Sequence, residues 1–240
     1  MPRYVGNLQR ARQALDYGLT WRDEVPVADF WASLNWPLLM VGAMSLLLAA
    51  WAASLAYRHD PAPPPAVAGA PSGFGGWLFL LALVVGVWPL RLLKTILETL
   101  PAYATPRWTL LTSPGSEAYH PGWAPLLLAA LVVNLGLLVF SVLTLWLFFK
   151  RRSSAPRVLI ATMWTSFVLL VADQLATPLM LPDHAPEWGS MLKLGLGSAL
   201  WTGYLLRSRR VRATFVRRLH RPEPERPAAL AETAAPAAPA

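Results

Sequence analysis

The sequence predicts an all-α polytopic membrane helix bundle, with four core transmembrane helices plus one N-terminal transmembrane helix. Three observations predict it. Hydrophobic residues make up 55% of the 240 residues and charged residues only 14%, against about 25% charge in a soluble domain. The charge is unevenly spread, because residues 30–57 and 124–149 carry none. Arginines then abut the apolar runs, as in GYLLRSRRVRATFVRR at residues 203–218.

Each element follows from its own stretch. Residues 1–35 are a polar arm in which Arg3, Arg10, Arg12 and Arg22 mix with Asp16, Asp23, Glu24 and Asp29. Residues 36–57 form the leading transmembrane helix, with Trp36 and Tyr57 at its ends, where amphipathic rings favour the headgroup level. A Pro/Gly-rich linker, residues 58–75, cannot sustain a helix. The four-helix membrane domain spans residues 76–206. Its helices are expected at 77–100, 123–149, 158–181 and 190–206, joined by a Pro-rich loop at 101–122, the basic turn KRRSSAPR and the acidic turn PDHAPEWG. Uncharged runs of 18 or more residues are long enough for a ~30 Å hydrocarbon core. Pro89 removes a backbone donor inside the first of these helices. Residues 222–240 form a Pro/Ala tail of low complexity, expected to be disordered.

Lysines and arginines in short loops collect on the cytoplasmic side. KRRSSAPR carries four of them and the segment from Leu206 to Arg226 carries eight, whereas PDHAPEWG carries none. The C-terminus is therefore expected to be cytoplasmic. The side of the N-terminus stays open. The later loops place it outside, but four arginines precede the leading helix and only Arg58 follows it closely.

Residues 207–221 read as a basic juxtamembrane helix. Val211, Phe215 and Leu219 recur every four residues, and Arg207, Arg209, Arg210, Arg212, Arg217, Arg218 and Arg221 cover much of the rest. Such a helix would lie in the interface with its apolar stripe in lipid and its cations on anionic headgroups, each adding about 1 kcal/mol of attraction. Nucleic acid is a poor reading of the net charge of +8, since no base-reading module accompanies it.

Three stretches carry a resemblance: GGWLFLLALVVGVWPLRLL (75–93), LWLFFKRRSSAPRVLI (145–160) and WTGYLLRSRRVRATFV (201–216). In this order they resemble the bacterial inner-membrane family known as domain of unknown function 2569, over roughly residues 75–218. The resemblance implies four helices and a bacterial inner-membrane location, and no mechanism. The closing stretch departs from the family pattern, with TGY where Pro-Tyr is usual. The leading helix and linker stand outside the resemblance.

Ionisable residues within spans are costly and are therefore paired or reach water. Arg91, Lys94 and Glu98 fall at spacings of three and four on one helix. Counting along the spans puts Asp173 at the depth of Arg91, with Lys193 able to reach that level. The expected intramembrane polar cluster is thus Arg91, Lys94, Glu98, Asn134, Asp173 and Lys193, with Asn134 deeper and Glu98 near the rim. It reads either as an Arg91–Asp173 pair fixing helix register or as a solvent-reaching pocket for an anion or a proton-linked solute.

Enzyme chemistry finds little footing. There is no cysteine, which removes thiolate catalysis and Cys-ligated metals. His59, His120, His184 and His220 lack metal-ligand spacing, and no metal or cofactor is expected. Ser141 has no base beside it at helical spacing, and Gly195, Gly197 and Ala199 suit close helix approach. The expected function is a non-enzymatic integral inner-membrane protein, a scaffold or partner of other envelope proteins or a homo-oligomer. The alternative is a small transporter or channel using the outer-half cluster.

Overall fold

The computed structural model describes residues 34–63, 65, 69–116, 118–180 and 186–218. The polar arm through residue 33, the acidic turn at 181–185, Arg221 and the C-terminal tail lie outside the described residues.

Helix α1 is Trp36–Arg58, begun by Asn35, whose side chain accepts from the Leu38 amide at 3.4 Å. Helix α2 is Trp77–Thr99, with Gly76 before it at φ 57° and Pro89 buried inside it. A 3-10 turn, Leu100–Tyr103, extends α2. Helix α3 is Thr105–Thr112, α4 is Trp123–Phe149 and α5 is Ala155–Met180. Helix α6 is Trp188–Arg207, and the six-residue α7 is Arg209–Thr214.

Four of these helices are long and apolar enough to cross a membrane: α1, α2 with its 3-10 extension, α4 and α5 to Pro178. The chain is therefore a multi-pass membrane protein. The 27 residues of α4 reach about 40 Å, beyond the ~30 Å hydrocarbon core. Helix α6, expected as a fifth span, has 20 residues. Lys193, its serines and its four glycines dilute its leucines, and it is less apolar than the other four.

Helix α4 is the hub of the bundle. α1, α2 and α5 each pack along it, and α6 packs on α5. Gly42 of α1 faces Leu135 near the middle of α4, and the end of α1 meets the turn that follows α4. The two helices therefore run in the same direction. In the expected Pro-rich loop the chain instead folds into the 3-10 turn and α3. The Tyr103 hydroxyl donates to the Leu127 carbonyl at 3.0 Å and moors this segment to α4. Pro106 fits there because the first turn of a helix needs no amide from it.

Side-chain burial is concentrated at one end of the bundle. Leu78, Leu81 and Val85 open α2, Leu147 and Phe148 close α4, Leu159 opens α5 and Leu205 closes α6; all lie in one buried cluster. Above this end the helices present large apolar side chains outward, among them Leu47, Leu83, Val142 and Val168, as a lipid solvent permits.

Of the small residues expected to bring helices together, Gly195 does so. A Cβ there would stand 3.0 Å from the Phe167 ring of α5, whereas one on Gly197 would meet nothing within 4 Å and Ala199 is exposed. Close by, the Trp164 indole donates to Thr202 Oγ1 at 3.1 Å. Gly195→Leu should therefore lower stability by about 1–3 kcal/mol, the usual cost of overpacking, while Gly197→Ala leaves it unchanged or slightly raised. Unfolding midpoints in detergent measure both, and equal midpoints would show that α5 and α6 do not meet at Gly195.

Candidate functional site

Four separate pieces of chain converge at the buried end of the bundle. They are the last turn of α1 with the strap that continues it (Tyr57–Pro61), the glycine-rich approach to α2 (Gly73–Gly76), the α4–α5 turn (Lys150–Ser154) and the C-terminal segment from Ser208.

The turn reverses the chain through Arg151, whose φ of 54° lies in the left-handed region that non-glycine residues seldom enter. Its neighbours hold it there. The Arg151 carbonyl accepts from the Arg217 amide at 3.2 Å, and the Ser153 amide donates to the Arg217 carbonyl at 3.0 Å. The Arg151 guanidinium stands 5.0 Å over the Phe74 ring.

Arg152 is the buried charge of the site, with 6% of its side chain exposed. Its Nη1 donates to the Tyr57 carbonyl at 2.9 Å, its guanidinium lies 4.6 Å from the centre of the Tyr57 ring, and its Nη2 is 3.6 Å from Asp60 Oδ1. Asp60 also faces Arg218 Nε at 3.9 Å. Ser153 Oγ donates to the Pro61 carbonyl at 2.8 Å. A strap outside the turn by more than ninety residues in sequence is thus clamped onto it by a charge pair, a cation–π contact and two hydrogen bonds.

The C-terminal segment closes the site. Ser208 caps α7, accepting from the Val211 amide at 3.4 Å. Thr214 Oγ1 accepts from the Gly73 amide at 3.0 Å and donates to the Arg210 carbonyl at 2.7 Å. The Arg210 guanidinium occupies the space that a Cβ on Gly75 would need, so a side chain there would have to displace the tip of Arg210. Phe148 lies between Phe74 and Phe215, with ring centres 5.4 and 5.1 Å away.

The expected lipid-facing helix running to Arg221 is corrected by this geometry. The chain leaves helix at Arg207, restarts at Arg209 and stops at Thr214. Val211 and Phe215 are buried at 2% and 1% exposure in the protein's own core, not in lipid. A four-residue repeat reports an apolar face and does not say what covers it. Arg207, Arg209, Arg217 and Arg218 are exposed and Arg210 and Arg212 half-buried, while Leu219 and Arg221 lie outside the described residues.

The six polar residues of the spans are not brought together. Lys94 Nζ and Glu98 Oε1 pair at 3.1 Å within α2, with 75% and 60% of their side chains exposed. Arg91, Asp173 and Lys193 are exposed and Asn134 is half-buried. Among the described residues no ion pair joins Arg91 to Asp173, because α2 and α5 each lean on α4 and turn these side chains outward. Among the described residues there is also no group of three or more His, Asp or Glu placed to hold a metal. Ser141 is buried in α4, its Oγ donating to the Leu138 carbonyl at 2.8 Å.

The sequence reading missed Asp60 and the buried role of Arg152. Asp60 sits in a proline-rich linker, and nothing local marks its partner ninety residues on. The available signal was the single acid in a linker otherwise facing only basic turns.

The model of a family described as protein of unknown function (DUF2569) matches residues 71–216. No curated protein and no solved structure matches the chain. The match takes in three of the converging pieces and leaves α1 and its strap outside.

Removing the carboxylate from a buried pair leaves a charge without compensation, at a cost of about 3–5 kcal/mol. Asp60→Ala should therefore lower stability by about 3 kcal/mol, near the bottom of that range given the 3.6 Å separation. Arg218→Gln, at the exposed flank of the same carboxylate, should cost less than about 1 kcal/mol. Chemical unfolding of the full chain in detergent compares the two, and equal losses would refute the clamp.

Proposed function

We propose, taking as premise that this chain belongs to the DUF2569 family of proteins of unknown function, that it is a non-enzymatic protein of the bacterial inner membrane that associates with other membrane proteins or with further copies of itself. The observation that supports this reading is the outward placement of Arg91 and Asp173. Arg91 stands 14 residues into α2, about 21 Å from the buried end. An ionised side chain turned toward hydrocarbon costs at least about 2.5–3.5 kcal/mol at mid-membrane. A polar contact from a neighbouring chain relieves that cost. A transporter built on the same residues would need them to face one water path, and α2 and α5 present them separately.

The buried end is the cytoplasmic end in this reading. Arg58, Lys150, Arg151, Arg152, Arg157 and the described arginines from Arg207 to Arg218 stand there, and short basic loops stay inside. Trp36 then lies at the outer face, because α1 runs toward the basic turn. The exposed Arg207, Arg209 and Arg217 lie at the anionic headgroups of the inner leaflet, each attracted by about 1 kcal/mol.

Since the chain has no cysteine, single cysteines report contacts without a background. Ala176→Cys, one turn from Asp173 on the same face of α5, is expected to cross-link to a second polypeptide in native membranes, and Leu47→Cys on α1 is not. Asp173→Leu in the Ala176→Cys background should reduce the yield at least several-fold, since the outward-facing carboxylate is what the neighbouring chain's polar contact satisfies. A chain that stays monomeric at both positions, with the family domain intact, would overturn the reading.

A further inference from the structure

The outer face of α2 carries its features in a regular order. Leu80, Val84 and Val87 stand exposed at spacings of four and three, and the exposed Arg91 follows four residues on. Such spacings put all four on one stripe of the helix. Leu78, Leu81, Val85 and Pro89 are buried on the opposite side.

A groove of about 340 Å³ opens elsewhere on the bundle, between α1, α4 and α5, and no residue of α2 lines it. Gly136 and Phe140 of α4 lie in it, and Thr165 and Leu169 form part of its α5 wall. A Cβ on Gly136 would meet nothing within 4 Å, so this glycine leaves the groove open. Asp173 follows Leu169 by one turn on the stripe of Thr165 and Leu169, exposed just beyond the groove.

Stripe and groove match in order and in height. Helices α2 and α5 both start at the buried end, where Leu78 and Leu159 share one cluster. Val87 and Thr165 each stand 10 residues past the first residue of their helix, Trp77 and Ala155, about 15 Å along. Arg91 is about 21 Å along α2 and Asp173 about 27 Å along α5, a difference that a long arginine stem covers as it reaches outward. Apolar surface thus ends in a cation on α2 and in an anion at the groove. Lys94 is already paired with Glu98, whereas among the described residues neither Arg91 nor Asp173 is in an ion pair.

Copies of one chain are inserted by the same basic loops and share one orientation. Rotation about the membrane normal relates such neighbours and leaves each residue at its own depth, so groups of opposite sign at similar depth are able to meet. Because stripe and groove lie on different elements, the contact is heterologous.

We propose that the α2 stripe of one copy docks in the α1–α4–α5 groove of a second copy, with Arg91 paired to Asp173 of that copy. This rests on the reading above, that the chain associates within the membrane, and names the partner and both surfaces.

The test co-expresses two differently tagged full-length chains, one with Val87→Cys and the other with Thr165→Cys, and oxidises native membranes. A disulfide joining the two tags is expected. Val87→Cys beside Leu47→Cys should give none, since Leu47 is nine residues from the groove-lining Ala56 and half a turn away from it around α1. Arg91→Asp in the Val87→Cys chain sets two carboxylates together and should cut the yield about tenfold or more. Asp173→Arg in the Thr165→Cys chain, alone, should do the same. Both reversals together, one on each chain, restore opposite charges and should return the yield to within about twofold of wild type. No link between positions 87 and 165 with the native charges, or a yield that the paired reversals leave low, would overturn the contact. Should Ala176→Cys then still cross-link to a different polypeptide, the wider reading stands and only the second copy falls; silence at every position removes both.

Discussion

Arg152 brings a positive charge into a place with almost no water, and the organisation of the whole basic end answers that charge. Desolvating a guanidinium costs several kcal/mol unless a counter-charge and hydrogen-bond acceptors stand ready. Asp60, the Tyr57 carbonyl and the Tyr57 ring supply these from one short strap. Because the strap is the continuation of α1, the helix is fixed in direction and height against α4. Because Asp60 also faces Arg218, the same carboxylate ties in the C-terminal segment.

The concentration of burial at this end has a physical reason in the change of solvent. Inside hydrocarbon, burying an apolar side chain against another helix gains little, since lipid tails are as apolar as leucine. At the membrane–water boundary the same burial removes surface from water, at roughly 25 cal/mol per Å². Phe148 and Phe215, at 0% and 1% exposure, are spent there, where their burial counts. Farther along, close approach at Gly195 and side-chain hydrogen bonds such as Trp164 to Thr202 take over.

The spans were legible because a run such as residues 124–149, without a charge, has only one solvent that suits it. The expected helix at 123–149 is α4 to the residue, and the family resemblance over roughly 75–218 coincides with the match at 71–216. Azimuth was not legible. Arg91 and Asp173 stand on helices that share α4 as a neighbour, and a sequence does not say how far each has turned about its axis. The C-terminal segment failed for a related reason: Val211 and Phe215 form an apolar stripe whether lipid or Phe148 lies beneath it. Asp60 was hidden because its partners come from two distant turns, and charge pairing across 92 or more residues leaves no periodicity to read.

The order in which the pieces of the clamp leave the ribosome is fixed by their positions. Asp60 is made before Arg152, and Thr214 and Phe215 are made after both. Among the described residues every helix long enough to span has therefore been synthesised before the last pieces of the seal exist. A transcript cut short after Leu206 would yield a product with the four apolar helices described above, yet with Phe148 without its Phe215 cover and the Gly73 amide without its hydroxyl acceptor.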